Sequence, residues 1–272
     1  MGLGVCEYDI CGGLKGQPIE VVKSPIYGFP IPAYSEMVLE GYLDPRDLAP
    51  EGPFGEWTGY FGSSVRPEPR MHVLAVYHRR DPIIYGTTHS IPPTEPILYR
   101  AVMRSGLIKE HLQRMGIPDV QDAWCHEVGG TRLLVVISIR QRYPGHARQA
   151  ATAAISCQPG AYLGRYVIVV DDDIDVTDLN EVMWAVCTRS DPETSIDILR
   201  RWWSGPLDPR IPEDRKGFSS RAIIDATKPF EWRDKFPKVC AASRELQEAV
   251  ARKFAHVFAP APAAVAAPGG DR

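Results

Sequence analysis

The 272-residue sequence has no stretch of the roughly 18 consecutive apolar residues that a membrane-spanning helix needs, which excludes a span of that kind. Its opening, MGLGVCEYDICGG, has neither a basic leader nor an apolar core and does not read as a secretory signal. Basic residues are not in excess. Thirty-one Lys and Arg stand against 34 Asp and Glu, a formal net charge of -3, and this argues against a general nucleic-acid binder. No Cys-x-x-Cys occurs. The six cysteines, Cys6, Cys11, Cys125, Cys157, Cys187 and Cys240, are scattered, as thiols of a reducing cytoplasm would be. Cys6 and Cys11 flank Glu7, but no second Cys/His pair accompanies them to complete a zinc site. Also missing are a Gly-x-Ser-x-Gly elbow, a Walker A loop, a Gly-x-Gly-x-x-Gly fingerprint, a His-x-x-x-His pair and any internal repeat.

What remains is ordinary globular composition, 44% hydrophobic and 24% charged. Residues 1–93 are rich in Gly and Pro, with short β-like runs at Pro18–Lys23, Ser35–Glu40 and Arg70–His78. Turn signals at Gly12-Gly13, Ser24-Pro25, Asp44-Pro45 and Gly52-Pro53 separate them, which suggests part of a β-barrel or sandwich. Residues 94–118 read as a connecting helix. Thr94 or Glu95 can cap it, Pro96 sits near its start, Gly116 and Pro118 end it, and Ile97, Val102, Leu107, Ile108, Leu112 and Met115 are its apolar positions. Beyond it the pattern is α/β. Arg132–Ile139 and Tyr166–Val170 read as strands buried on both faces, with an Ala-rich helix from Pro144 to Cys157 between them. Asp178 with Glu181 predicts a capping box. Residues 205–237, with five prolines, read as an extended arm, and Trp202, Trp203 and Trp232 as core or interface anchors. Arg244–Phe258 reads as an amphipathic helix, and residues 260–272 as a disordered tail.

Three segments could carry chemistry. In Glu51-Gly-Pro-Phe-Gly-Glu56 two carboxylates stand five residues apart. That step puts them on opposite faces of a strand, or about 140° apart on a helix, so they converge only if the backbone between them turns. Gly52-Pro53 and Gly55 permit such a turn. Spacing alone leaves two readings open: a loop with two solvated acids, or a converged pair in which one acid becomes a proton donor. Glu7 with Gly12–Gly16 is either a hairpin turn or a Gly-rich cradle for a phosphate with an acid for a bridging cation. Asp171–Asp175, after a buried strand, fits helix capping and turn formation better than a cation site.

Taken in order, Gly16-Gln-Pro-Ile-Glu-Val-Val-Lys23, Pro32-Ala-Tyr-Ser-Glu-Met-Val-Leu-Glu-Gly41, Glu51-Gly-Pro-Phe-Gly-Glu56-Trp-Thr-Gly-Tyr60, and Val170-Asp-Asp-Asp-Ile-Asp-Val176 with Val182-Met-Trp184 resemble the UbiD-type decarboxylases, a family that includes ferulic acid decarboxylase. The resemblance covers the chain to about residue 240. It implies a prenylated FMN cofactor, held through its phosphate by Mn²⁺ or Mg²⁺ and K⁺. The implied reaction is reversible decarboxylation of an aromatic or α,β-unsaturated carboxylic acid. Glu7 would then be the metal ligand beside the cofactor phosphate. Glu51 and Glu56 would be the glutamates of a Glu-Arg-Glu network, Glu56 donating the proton and Glu51 holding the arginine and tuning its partner. Leu163 and Leu207 would fall in the substrate pocket. Physical chemistry is consistent with this, because no side chain is a good sink for a carbanion and a cofactor must supply one.

The fold implied is α+β. Residues 1–93 would be the trailing, incomplete part of a split β-barrel flavin-binding domain. Residues 94–118 would be the connecting helix, 119–237 an α/β oligomerisation domain with its extended arm, and 238–272 a C-terminal helix and tail. In the family the network arginine and further metal ligands lie upstream of the position of Glu7, so the sequence resembles a second half. A truncated gene, a split enzyme and a decayed copy remain open, and the isolated chain is expected neither to hold the flavin tightly nor to turn over. Expected partners are the acid substrate and either further copies of the chain or a separate N-terminal-half subunit. The rival from another class is a non-catalytic assembly subunit; a Rossmann-type nucleotide binder is disfavoured because no Gly-rich turn follows the first strand of the βαβ segment.

Overall fold

The computed structural model describes residues 4–62 and 64–258, which form two compact units, one ending at Phe230 and the other starting at Glu231. The architecture is mixed α+β. Helix α1 (Glu7–Lys15) comes first. The Gly-rich turn expected at Gly12–Gly16 is therefore helix: Gly12 and Gly13 lie inside α1, and only Gly16 turns, in the left-handed region at φ 72°. Interior glycines cost a helix about 1 kcal/mol each, but Glu7 and Asp9 in the first turn and Lys15 in the last complement its dipole.

Two antiparallel ribbons follow, and no closed barrel forms among the described residues. Strand β1 (Val21–Lys23) pairs with β2 (Pro30–Pro32). The buried Glu40 carboxylate holds the turn between them, accepting from Tyr27 N at 2.8 Å and from the Tyr77 hydroxyl at 2.9 Å. Strand β3 (Met37–Glu51) pairs with β4 (Arg66–His78), from Met37 opposite His78 to Glu51 opposite Arg66. The turn expected at Asp44-Pro45 is a slip in this ladder between Leu43 and Leu48, so β3 continues past it. Pro45 has no N–H to give a ladder, and such a residue is accommodated at an irregularity.

Helix α2 (Glu95–Arg114) ends as the sequence indicates, with Gly116 at φ 78° followed by Pro118. It buries Ile97, Ala101, Ser105, Ile108 and Leu112, while Val102, Leu107 and Met115 face out. Thr94 occupies the N-cap position without a capping hydrogen bond.

The remaining strands make one five-stranded sheet in the order β5-β6-β7-β9-β8. These are β5 (Val120–Cys125), β6 (Leu134–Ile139), β7 (Tyr166–Asp171), β8 (Ile196–Trp203) and β9 (Phe218–Ala226). The inner three are parallel and the two edges antiparallel. Helices α3 (His146–Ser156), α4 (Gln158–Ala161), α5 (Leu179–Arg189) and α6 (Pro192–Ser195) complete this part. The period-2 pleat sorts the apolar run of β6 to two faces. Val135, Ile137 and Ile139 pack with Ile108 and Leu112 of α2 and the alanines of α3. Val136 packs with Ile168, Val170 and the α5 residues Val182 and Ala185.

Two expectations are corrected here. Residues 205–237 are not wholly an arm, because Phe218–Ala226 is an inner strand of the sheet. The prolines at 206, 209, 212 and 229 bracket a proline-free run, as an inner strand requires. The capping box at α5 is half made. Asp178 accepts from Asn180 N at 2.8 Å, but the Glu181 carboxylate reaches Asp175 N, at 2.9 Å. The acidic run after β7 is structural: Arg189 pairs with Asp171 (3.2 Å) and Asp173 (2.7 Å), and Lys228 with Asp173 (2.7 Å).

In the second unit, α7 (Arg244–Lys253) is capped by Ser243 and breaks at Phe254 before α8 (Ala255–Phe258), where a single helix was expected. The tail at 260–272 lies outside the described residues. Among the described residues, no helix is long and apolar enough to cross a membrane.

Candidate active site

The end of β3 delivers Glu51, and Gly52 at φ 84° reverses the chain immediately after it. Only a residue without Cβ takes that conformation readily. A tight hairpin then forms. Gly55 bridges Phe61, Glu56 N donates to Tyr60 O at 2.9 Å, Gly59 N to Glu56 O at 2.8 Å, and Gly62 N to Phe54 O at 3.0 Å. Glu56 is thus fixed at the hairpin's tip, half-buried.

The next residue anchors the hairpin. Trp57 is 7% exposed and lies against the α/β part. Gly130 faces its ring so closely that any Cβ there would collide with it. The Arg132 guanidinium sits 5.5 Å from the Trp57 ring centre and 5.6 Å from that of Tyr162. Burial, with Arg104 and Arg100 nearby, lowers the Arg132 pKa from its ordinary value.

Glu51 and Glu56 line one cavity of about 190 Å³. Phe54, Pro206 and Leu207 supply apolar wall and Arg66 a cation. Gly62 completes the fit, because a Cβ there would collide with the Glu56 side chain and stand 3.0 Å from Leu207 Cδ2. The arrangement offers a proton donor or acceptor beside an apolar wall, with a guanidinium able to hold a carboxylate.

Of the five residues singled out in the sequence, the structure brings together Glu51, Glu56 and Leu207. Leu163 is buried at φ 68° and is not among the residues lining this cavity. Glu7 is exposed in the first turn of α1 and is likewise absent from the lining. Arg66 went unnoticed in the sequence. It faces Glu51 across the ribbon, with Nε 2.5 Å from Glu68 Oε1. Prolines at 67 and 69 stand in the first residues of β4, so the sequence pattern begins this strand only at Arg70 and leaves Arg66 outside it.

The 3-octaprenyl-4-hydroxybenzoate carboxy-lyase Rift-related domain matches residues 1–92, and the C-terminal domain of the same carboxy-lyase matches residues 98–226. The chain belongs to the UbiD family. Solved structures agree. The UbiD-class enzyme HmfF from Pelotomaculum thermopropionicum, in complex with FMN, is 32% identical with a TM-score of 0.77, over 91% of this chain and 53% of that one. Vanillic acid decarboxylase of Sedimentibacter hydroxybenzoicus, in open form, is 32% identical with a TM-score of 0.75, over 95% and 54%. The apo 3,4-dihydroxybenzoic acid decarboxylase of Klebsiella pneumoniae is 25% identical with a TM-score of 0.76, over 93% and 53%. The chain therefore spans about half the length of these UbiD-family structures.

That half-length bears on which groups the chain can hold. Among the described residues, no three His, Cys, Asp or Glu side chains converge as a metal site. The 190 Å³ cavity is smaller than the roughly 300–1,000 Å³ of ligand pockets. The cavity that the described residues form is too small to enclose a flavin.

Proposed function

We propose that this UbiD-family chain is one part of a non-oxidative carboxy-lyase that reversibly removes CO₂ from an aromatic or α,β-unsaturated carboxylic acid, with prenylated FMN as its cofactor. The observation that carries this is the placement of Glu51 and Glu56 in one cavity, lined by Arg66 and Leu207. The relatives named as decarboxylases of vanillic and 3,4-dihydroxybenzoic acid support an aromatic acid, and HmfF with FMN supports a flavin. When bound, the flavin supplies the electron sink for the carbanion left by CO₂. Mn²⁺ or Mg²⁺ would be held partly by Glu7, with K⁺ at the cofactor phosphate. The protein would work in the cytoplasm.

This chain's own residues then have defined tasks. Glu56, held by two backbone hydrogen bonds at the hairpin tip, delivers a proton to the carbon that has lost CO₂. Glu51 and Arg66 set the charge around it. Leu207 and Phe54 keep water from the reacting carbon.

The β3–β4 ribbon bears on completeness. Leu39, Tyr42, Leu43, Met71, Val73, Leu74 and Val76 are all exposed along it. A two-stranded ribbon with this much open apolar surface needs a cover. We read the cover as the rest of a split barrel, in the part of the family fold that this sequence does not span.

The test is to prepare the chain alone and together with a segment equivalent to the other half of its relatives. Both are loaded with prenylated FMN, and CO₂ release is followed from a panel of aromatic acids. Turnover is expected only from the combination, and Glu56→Gln should lower it by about 10²-fold or more. Turnover by the chain alone would refute the need for a partner, and unchanged turnover in Glu56→Gln would refute the proton role and leave an assembly subunit.

A further inference from the structure

The segment between β8 and β9 lines two cavities. Pro206 and Leu207 face the Glu51–Glu56 cavity. Arg210, Ile211, Pro212 and Arg215 line a second, a groove of about 540 Å³. Arg165 and Tyr166 at the start of β7, and Ser219, Ser220 and Arg221 of β9, form more of it, with Ile198 and Phe218 as apolar wall. Four arginines line this groove and, among the described residues, no carboxylate does, in a chain whose net charge is negative.

The fate of each charge decides what the groove can do. Arg165 is neutralised by Asp208, which is fully buried behind it and accepts at 2.6 and 2.5 Å. Arg221 is 1% exposed and has no acid partner among the described residues. It donates to the carbonyls of Ile155 (3.3 Å), Gly160 (3.1 Å), Ala161 and Trp203 (2.9 Å), and its Nε has no partner. Burial without a counter-charge pushes its pKa down to about 10. Arg210 makes no ion pair among the described residues. The ion-pair partner of Arg215 is its neighbour Asp214, 3.6 Å away with both side chains in solvent. Such a pair contributes little.

We propose that this groove is a binding site for a small organic oxyanion, a carboxylate or phosphate carried on a flat apolar body. Planar guanidinium forks match an oxyanion in geometry as well as charge. Tyr166, Phe218 and Ile198 would take the apolar part, and the groove's volume lies in the range of ligand pockets. Asp208 links the two cavities. It binds Arg165 and also accepts from Ser204 Oγ (3.2 Å) and Arg210 N (3.0 Å), and it adjoins Leu207 in the chain. An anion that competes for Arg165 therefore disturbs Leu207. The site stands independently of the decarboxylase reading, since none of its residues belongs to the Glu51–Glu56 cavity.

The test uses the full chain with ¹³C-labelled Ile and Leu methyl groups, titrated with benzoate, inorganic phosphate or benzyl alcohol to about 10 mM. Benzoate should shift Ile198 and Ile211 saturably, with Leu207 following the same isotherm; phosphate should shift them more weakly, and benzyl alcohol not at all. The double variant Arg210→Glu, Arg215→Glu alters two exposed side chains, so circular dichroism should be unchanged. It should weaken benzoate binding at least tenfold and remove the Leu207 response. Absence of saturable shifts, or equal binding by the variant, overturns the proposal. A Leu207 shift that persists in the variant belongs to the other cavity and removes the coupling. Unmoved methyl groups with an altered sedimentation coefficient in the variant make the groove a protein contact instead.

Discussion

Replacing Trp57 with alanine tests whether the Glu56 hairpin is held by its neighbour in the chain. A tryptophan of ~200 Å² that is 7% exposed hides ~190 Å², worth ~5 kcal/mol at ~25 cal/mol/Å². Measured Trp→Ala losses of about 3–5 kcal/mol bracket the net effect, so ~4 kcal/mol is expected. The Arg132 guanidinium, 5.5 Å from the ring centre, loses one of its two aromatic neighbours as well. At about 2–4 °C per kcal/mol for a unit of this size, Trp57→Ala should lower Tm by about 8–16 °C in a thermal melt. Trp57→Phe, which keeps an aromatic ring against Gly130, should recover roughly half of that. A Trp57→Ala melt within about 3 °C of the wild type would show that the hairpin does not depend on this contact.

Other changes isolate single features. Gly62→Ala places a methyl where the Glu56 side chain lies, so turnover of the assembled enzyme should fall at least about tenfold, with a smaller Tm change than Trp57→Ala. Ser105→Ala removes a buried hydroxyl that donates to Ala101 O at 2.6 Å and accepts from Cys125 N at 2.9 Å; urea unfolding should register a loss of about 1–3 kcal/mol from the orphaned amide. Burial holds the His126 and His146 imidazoles below their ordinary pKa. As pH falls below about 6.5 the unfolded chain takes up protons that the folded chain refuses, so stability should drop with pH in that window. A His126→Asn, His146→Asn double variant should show a flatter profile in urea melts taken across it.

The chemistry-bearing residue types were legible because they sit in local patterns. Glu51 and Glu56 could be picked out together, since a Gly/Pro-bearing hexapeptide is needed to bring them round. The buried strands β6 and β7 announced themselves by continuous apolar runs, and α2 by Pro96 near its start and by its Gly116-Pro118 stop, while half of its apolar positions face out. Strand β9 was missed because flanking prolines drew attention away from a proline-free centre. Strand β5 was missed because Val120–Cys125 neither alternates polar and apolar residues nor forms a continuous apolar run, and spans only six positions.

Sequence by itself determined which segments could be helix or inner strand, which acids stood near a turn, and that the chain resembles one half of a decarboxylase. Those properties depend on side-chain type and on neighbours a few residues away. Tertiary structure alone decided that Leu207 joins the two glutamates and Leu163 does not, that Arg66 stands opposite Glu51, and that four arginines from different elements share one groove. The physical reason is that these juxtapositions depend on ladder register and on the path of connecting segments. Both are set by packing across the whole fold, and no local pattern records them.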